Sequence, residues 1–259
     1  MIPKIIHYCW FGKNPLPKLA KKCIRSWKKY CADYKIIKWN EENFDISSAP
    51  QYVQQAYKAK KWAFVTDYVR LKVVYDYGGI YLDTDVEIIK GIDHLLCNKA
   101  FFGFQDNNSI ATGLGFGSNK HTEILYKMMQ DYSNILFINE DGEFDLTACP
   151  ERNSHVFNDF GFILNGKTQK INDITVFSKE FFCPKDWLTG ELIITENTYT
   201  IHHFSASWYD KQQIEYLKQY KKRQKRMKIK SFHNDVQNVK KEKGMMYSIL
   251  WGMKNFWKI

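Results

Sequence analysis

Apolar residues come first as short unbroken runs and then at helical spacing, and the exchange between these two patterns outlines the chain. Residues 4–11, Lys-Ile-Ile-His-Tyr-Cys-Trp-Phe, form an apolar β-rich run closed by Gly12, which predicts a buried strand. Leu19, Cys23, Trp27 and Tyr30 then repeat at helical spacing, and Tyr34-Lys-Ile-Ile-Lys-Trp39 reads as a second strand. A long helical region follows over 51–77, broken near Lys60-Lys61 and stopped by Gly78-Gly79. From 80 to 89 apolar and polar positions alternate with period two, the mark of one strand with a buried face. Further strands are expected over 100–104, 110–116 and 199–204, and a helix over 121–132. Strand–helix alternation in the first ninety residues predicts an α/β fold around a mostly parallel sheet.

Charge divides the chain in a way that this pattern does not. Residues 211–259 hold 14 Lys and Arg against 3 acids, a net of +11. The remaining 210 residues hold 24 basic and 25 acidic side chains, a net of −1. We therefore expect a neutral body over 1–210 and a basic tail over 211–259. In the tail Met246, Ile249, Leu250, Met253 and Trp257 share one helical face behind the run Lys221-Lys-Arg-Gln-Lys-Arg226. That combination predicts docking on an anionic membrane surface, with packing on the body as the plainer reading. Nucleic acid is not expected as a partner, because the body is neutral and carries no nucleic-acid module. The six cysteines show no C-x-x-C pair and predict buried thiols in a reducing cytosol. The first residues lack a signal-peptide pattern and no run is long enough to span a bilayer, so a cytoplasmic location is expected.

Chemistry concentrates in Tyr81-Leu-Asp-Thr-Asp-Val-Glu87. On a regular strand Asp83 and Asp85 would share a face, roughly 7 Å apart, with Tyr81 and Glu87 flanking them. Ile80, Leu82, Thr84, Val86 and Ile88 would form the core face. Three carboxylates on one side of a half-buried strand call for a cation, and a hard divalent ion with oxygen ligands is the natural one. An exposed edge strand is the plain alternative. Upstream, Asp67 and Arg70 stand at i, i+3 on an apolar helix that leads through Gly78-Gly79 into the carboxylates. A buried pair there costs desolvation and so points to a role beyond stability.

Together these runs, Trp62-Ala-Phe-Val-Thr-Asp-Tyr-Val-Arg70 and Tyr77-Gly-Gly-Ile-Tyr-Leu-Asp-Thr-Asp-Val-Glu87, resemble the D-x-D sugar-binding region of a glycosyltransferase family. That family includes capsule and lipopolysaccharide sugar transferases, initiating mannosyltransferases and the catalytic domains of clostridial glucosylating toxins. The opening Ile2-Pro-Lys-Ile-Ile-His-Tyr-Cys-Trp-Phe-Gly12 and the late Ile201-His-His-Phe-Ser-Ala-Ser-Trp208 are similar to its first and closing motifs. The resemblance implies a glycosyltransferase A-type, Rossmann-like fold and transfer that retains the anomeric configuration. It implies a nucleotide-diphosphate sugar donor, UDP-sugar favoured, and a glycan or lipid-linked acceptor in surface polysaccharide assembly. It assigns Trp10 to the nucleobase, Asp67 and Arg70 to the donor sugar, and Tyr81 and Asp83 to ribose and sugar. Asp85 would ligate Mn2+ or Mg2+ directly, with Asp83 beside it. Trp208 would hold a phosphate, and Ser207 and His203 would lie near the metal. The chain departs from the toxins at His203, where they carry an acid. A protein acceptor, or a non-catalytic binder using the basic tail, are the rival readings.

Two weaker signals remain. The glycines of Thr112-Gly-Leu-Gly-Phe-Gly-Ser118 lack the context of a phosphate loop and predict close backbone approach to donor or acceptor, or a bent strand. Asp145 and Asn153 lie in a polar stretch that could face the acceptor.

Overall fold

The computed structural model describes residues 1–205, 211–243 and 245. The chain forms two compact units, Met1–Lys185 with Leu192–Trp208, and Asp186–Glu191 with Tyr209–Ile259.

In the first unit β1 (Ile5–Cys9), α1 (Lys18–Tyr30) and β2 (Lys35–Trp39) follow the sequence pattern closely. The helical region divides into α2 (Gln51–Lys58) and α3 (Trp62–Tyr77) around Lys60, whose φ of 57° no helix tolerates. Helix α3 is apolar almost all round, and Val65, Val69, Leu71, Val73 and Val74 are fully buried, as suits a helix enclosed by the core. It stops at Gly78, whose φ is 65°. There follow β3 (Gly79–Tyr81), β4 (Val86–Ile88), β5 (Ala100–Gly103), β6 (Phe116–Ser118) and α4 (Glu123–Gln130). Short helices α5 (Cys149–Asn153) and α6 (Val156–Asp159) lead to β7 (Gln169–Ile171), β8 (Ile174–Phe177), α7 (Lys179–Phe182) and β9 (Thr200–His202).

The central sheet has seven strands in the order β2-β1-β3-β6-β5-β8-β7. The pairings make β6 and β7 antiparallel to the five others, so the sheet is mostly parallel, as the strand–helix alternation predicted. Period-two alternation sends side chains to two cores. Ile6, Tyr8, Ile80 and Phe101 join one cluster, whereas Cys9, Tyr81, Ala100 and Phe102 join the other.

One predicted element is divided. The alternating run 80–89 is not one strand: β3 belongs to the large sheet, and β4 pairs antiparallel with β9 in a separate two-stranded sheet. Between them Val86 N–H donates to Asp83 O at 3.0 Å, closing a turn over residues 83–86. Alternation survives on both sides, with Ile80, Leu82, Val86 and Ile88 all buried, which is why the sequence hides the break. The expected strand 110–116 is likewise a bridge at Ile110, a tight helical turn over Thr112–Leu114, and β6.

The second unit consists of the turn at Asp186–Glu191 and the helix α8 (Lys211–Lys243). Asp186 caps its own turn by accepting from the Leu188 and Thr189 amides. Trp187 stacks on Tyr220 of α8 at 6.2 Å between ring centres. Met227 and Ile229 are exposed on this basic helix. Among the described residues no helix is long and apolar enough to cross a membrane. The apolar face expected over Met246–Trp257 lies outside the described residues.

Candidate active site

Parallel pairing of β1 with β3 brings their carboxyl ends to one edge of the sheet, the edge at which ligands bind in open α/β folds. Trp10 leaves β1 there, half-buried, its indole N–H donating to Asn14 O at 2.6 Å and its amide to Trp39 O at 2.9 Å. Asp83 leaves β3 at the same edge, two residues past Tyr81.

Asp67 and Arg70 do form the buried pair expected on α3, with Arg70 Nη2 at 2.8 Å from Asp67 Oδ1. The same nitrogen stands 3.6 Å from Asp83 Oδ1, so one guanidinium serves two carboxylates. Arg70 is fixed from behind by donation from Nε to Thr66 O at 3.2 Å, and it lies over the Tyr81 ring at 5.2 Å. Tyr81 donates its hydroxyl to Asp83 Oδ1 at 2.9 Å. Burial pushes the Asp67 carboxyl up to about 6, although Arg70 pulls the other way. Burial likewise raises Asp83 above the usual carboxylate range, against the pull of Arg70, with Asp85 adding to the rise.

The turn at 83–86, rather than strand alternation, brings Asp85 to Asp83. Asp85 Oδ1 lies 3.2 Å from His202 Nε2, and its Oδ2 accepts the Ser205 amide at 2.8 Å. Burial would raise Asp85, but the His202 ring and the Ser205 amide prevail and hold it well below the usual carboxylate range. Burial opposes charge on His202, and the Asp85 carboxylate more than offsets this, so its affinity for a proton rises. His202 Nδ1 is buried with no hydrogen-bond partner. Ligand atoms of Asp83, Asp85 and His202 all lie within 4.8 Å of one another.

His203, the histidine put forward as a ligand from the sequence, is directed elsewhere. Its Nε2 is 2.8 Å from Glu87 Oε2, and Lys22 holds the same carboxylate oxygen at 2.8 Å. Neighbouring strand residues point to opposite faces, so only one of the two rings can meet Asp85. The β4–β9 register sets His203 on the same face as Glu87, and the 83–86 turn carries the Asp85 side chain out of the strand to His202 instead. The same geometry takes Glu87 away from the aspartates it was expected to flank. Lys22 and His203 lower the Glu87 carboxyl against the effect of burial.

Gly113 is the contact that sequence reading placed too vaguely. A Cβ there would stand 2.5 Å from Asp83 Oδ2 and 3.0 Å from Arg70 Nη1, so the glycine admits its backbone against the charged cluster. Asp145 and Asn153 stand in a neighbouring buried network. Asp145 pairs with Arg152 at 2.5 Å, and Asn153 bonds to Tyr132 and Asp131. Cys149 beside them contacts Thr112 at 2.9 Å. Ser207 and Trp208 lie outside the described residues.

Residues 17–102, from the approach to α1 through most of β5, match the family model for a glycosyltransferase sugar-binding region containing a DXD motif. The matched span includes Asp67, Arg70, Tyr81, Asp83 and Asp85. Inositol phosphoceramide mannosyltransferase 3 of Schizosaccharomyces pombe is 34% identical over 102 residues, 37% of this chain and 27% of that protein. An uncharacterized glycosyltransferase of Acanthamoeba polyphaga mimivirus is 31% identical over 107 residues, 39% of this chain and 43% of that one. The matches thus cover less than half the length of these curated relatives. Among solved structures, the PaToxG glycosyltransferase aligns with a TM-score of 0.48 at 20% identity, over 61% of this chain and 69% of its own.

Proposed function

We propose that this chain, whose residues 17–102 match the model of a glycosyltransferase sugar-binding region, is a metal-dependent, retaining glycosyltransferase using a nucleoside-diphosphate sugar. One observation carries the reading: Asp83, Asp85 and His202 converge within 4.8 Å beside the Asp67–Arg70 pair. Three carboxylates share this cluster with one permanent cation, Arg70, so positive charge is in deficit. Two carboxylate oxygens and an imidazole nitrogen within 4.8 Å of one another suit Mn2+ or Mg2+. Asp85, Asp83 and His202 would hold the ion, with His203 braced on Glu87 behind them. A cation held there would supply charge neutralisation for a departing diphosphate.

The chain's own residues do the rest. Arg70, pinned by Thr66 and Asp67, keeps its guanidinium against the sugar side of Asp83. Asp67 and Asp83 accept sugar hydroxyls and steady the positive charge that builds on the anomeric carbon as its bond to phosphate breaks. Tyr81, turned onto Asp83, sets that carboxylate's orientation toward ribose and sugar. Trp10, at the carboxyl end of β1, stacks on the base, and Ser207 and Trp208 complete the phosphate side. No side chain takes the part of a covalent nucleophile. The acceptor hydroxyl attacks from the face the diphosphate leaves, and its proton passes to the departing phosphate oxygen as the bond from that oxygen to the anomeric carbon breaks.

For the acceptor we propose a lipid-linked glycan of surface polysaccharide, met at the inner face of a membrane. The net +11 of residues 211–259 supports this, as does the inositol phosphoceramide in the name of the S. pombe relative. Co-sedimentation of the full chain with anionic vesicles, weakening with salt, tests the membrane part. A panel of UDP- and GDP-sugars, scored for hydrolysis with Mn2+ and with EDTA, tests the activity. One donor should be hydrolysed only with metal. Equal hydrolysis in EDTA removes the metal from the reading.

A further inference from the structure

His7 is fully buried in β1, and the roles of both its ring nitrogens are settled by their partners. The Trp39 indole can only donate, and it does so to His7 Nδ1 at 3.0 Å. Nδ1 therefore carries a lone pair, and the hydrogen sits on Nε2, which donates to Gly78 O at 2.8 Å. The ring is neutral and in one tautomer, packed against Trp39 at 6.0 Å and Tyr77 at 6.3 Å, which also touch each other. Its backbone has a second hold: His7 O accepts the Leu82 amide at 3.1 Å, one residue before Asp83.

One residue thus grips the chain at both ends of β3. The side chain takes Gly78 O just ahead of the strand, and the carbonyl takes Leu82 N just behind it. Between these two points lie only the three residues Gly79–Tyr81. Gly79 allows the grip: its φ is 110°, and a Cβ would stand 3.0 Å from His7 Nε2 and 2.7 Å from Ile5 O. Gly78 O belongs to the residue that ends α3, the helix carrying Arg70, whereas Leu82 leads directly into Asp83. The distance between Arg70 and Asp83 is therefore set across a joint that His7 closes.

We infer that His7 is a positioning residue that fixes Asp83 against Arg70 and Asp85 through its Nε2–H bond to Gly78 O. The inference rests on the reading of Asp83 and Asp85 as the metal-binding carboxylates. Two polar replacements separate the two nitrogens. The amide of His7→Gln can reach the Nε2 position and donate to Gly78 O, whereas that of His7→Asn reaches only the Nδ1 position.

Two readouts on the full chain decide the matter: Mn2+ binding followed by electron paramagnetic resonance, and amide hydrogen exchange in peptides covering residues 79–86. The Gln variant should resemble the parent in both. The Asn variant should bind Mn2+ about tenfold more weakly, the range for second-layer partners, with exchange over 79–86 faster by about the same factor. Equal behaviour of the two variants overturns the inference, as does a Gln variant that does not fold. If the parent chain takes up no Mn2+, the metal reading fails by itself. Exchange over 79–86 still tests His7, and no difference there between Gln and Asn overturns its role.

Discussion

The two arms of the site are built on opposite terms. The first arm runs from α3 through β3, where Asp67 and Arg70 of the helix meet Tyr81 and Asp83 at the end of a main-sheet strand. The second arm lies on the small β4–β9 sheet, where Asp85 depends on a histidine ring and on one backbone amide. Burial dominates the first arm and raises both of its carboxylates, whereas partners dominate the second and lower Asp85. The first arm is thus a buried surface whose polar groups hold one another. The second keeps a carboxylate ionised beside Asp83 and His202, where the proposed ion would sit. On the proposed function a neutral sugar and a charged diphosphate would lie side by side, and each arm would suit one of them.

The largest effect should come from the second arm. Asp85→Asn removes the ionised ligand yet leaves the Ser205 amide an acceptor, so metal-dependent donor hydrolysis should fall about 10³-fold or more, with the melting temperature little changed. Steady-state assays at saturating Mn2+ check this, and retained turnover breaks the contrast. In the first arm the effect moves to stability. Arg70→Met strands two carboxylates in a buried setting, which should cost about 3–5 kcal/mol in urea unfolding.

Acid should separate the arms again, through His7. Burial, with Lys35 adding to it, lowers the ring's proton affinity from the usual 6.5 to about 4. Between those values the unfolded chain binds the proton and the folded chain refuses it, so the stabilising contribution is whole above pH 6.5 and is lost as pH falls through about 4. Asp67 works in the opposite sense: raised to about 6, it lends stability as pH drops from 6 toward the ordinary carboxylate range. Comparing the parent chain with His7→Gln cancels Asp67. The parent should lose about 3 kcal/mol relative to the variant between pH 6.5 and 4, read from urea midpoints.

The smallest effect sharpens the second arm itself. His202→Ala should weaken Mn2+ binding about tenfold or more, whereas His203→Ala, acting only through Glu87, should change it less. Calorimetric titration of both variants decides between the rings, and the reverse order would return His203 to the ligand position.

Much of this was legible along the chain. The opening strand, the break at Lys60-Lys61, the stop at Gly78-Gly79, and the Asp67–Arg70 pair on an apolar helix all follow from spacing and local sterics. Such features depend on residues within a few positions of one another, and the sequence contains those residues. Asp83 and Asp85 were legible as a pair, though not for the reason that strand alternation offered. A turn between two sheets keeps the same alternation on either side, so period two could not reveal it. Four matters were decided only by the tertiary structure: the choice of His202 over His203, the removal of Glu87 to Lys22, the seat of Gly113 on Asp83, and the grip of His7 on both ends of β3. Each depends on which strand lies beside which. Pairings such as β4 with β9, more than a hundred residues apart in the chain, are set by how apolar faces close over one another, and no local pattern encodes them.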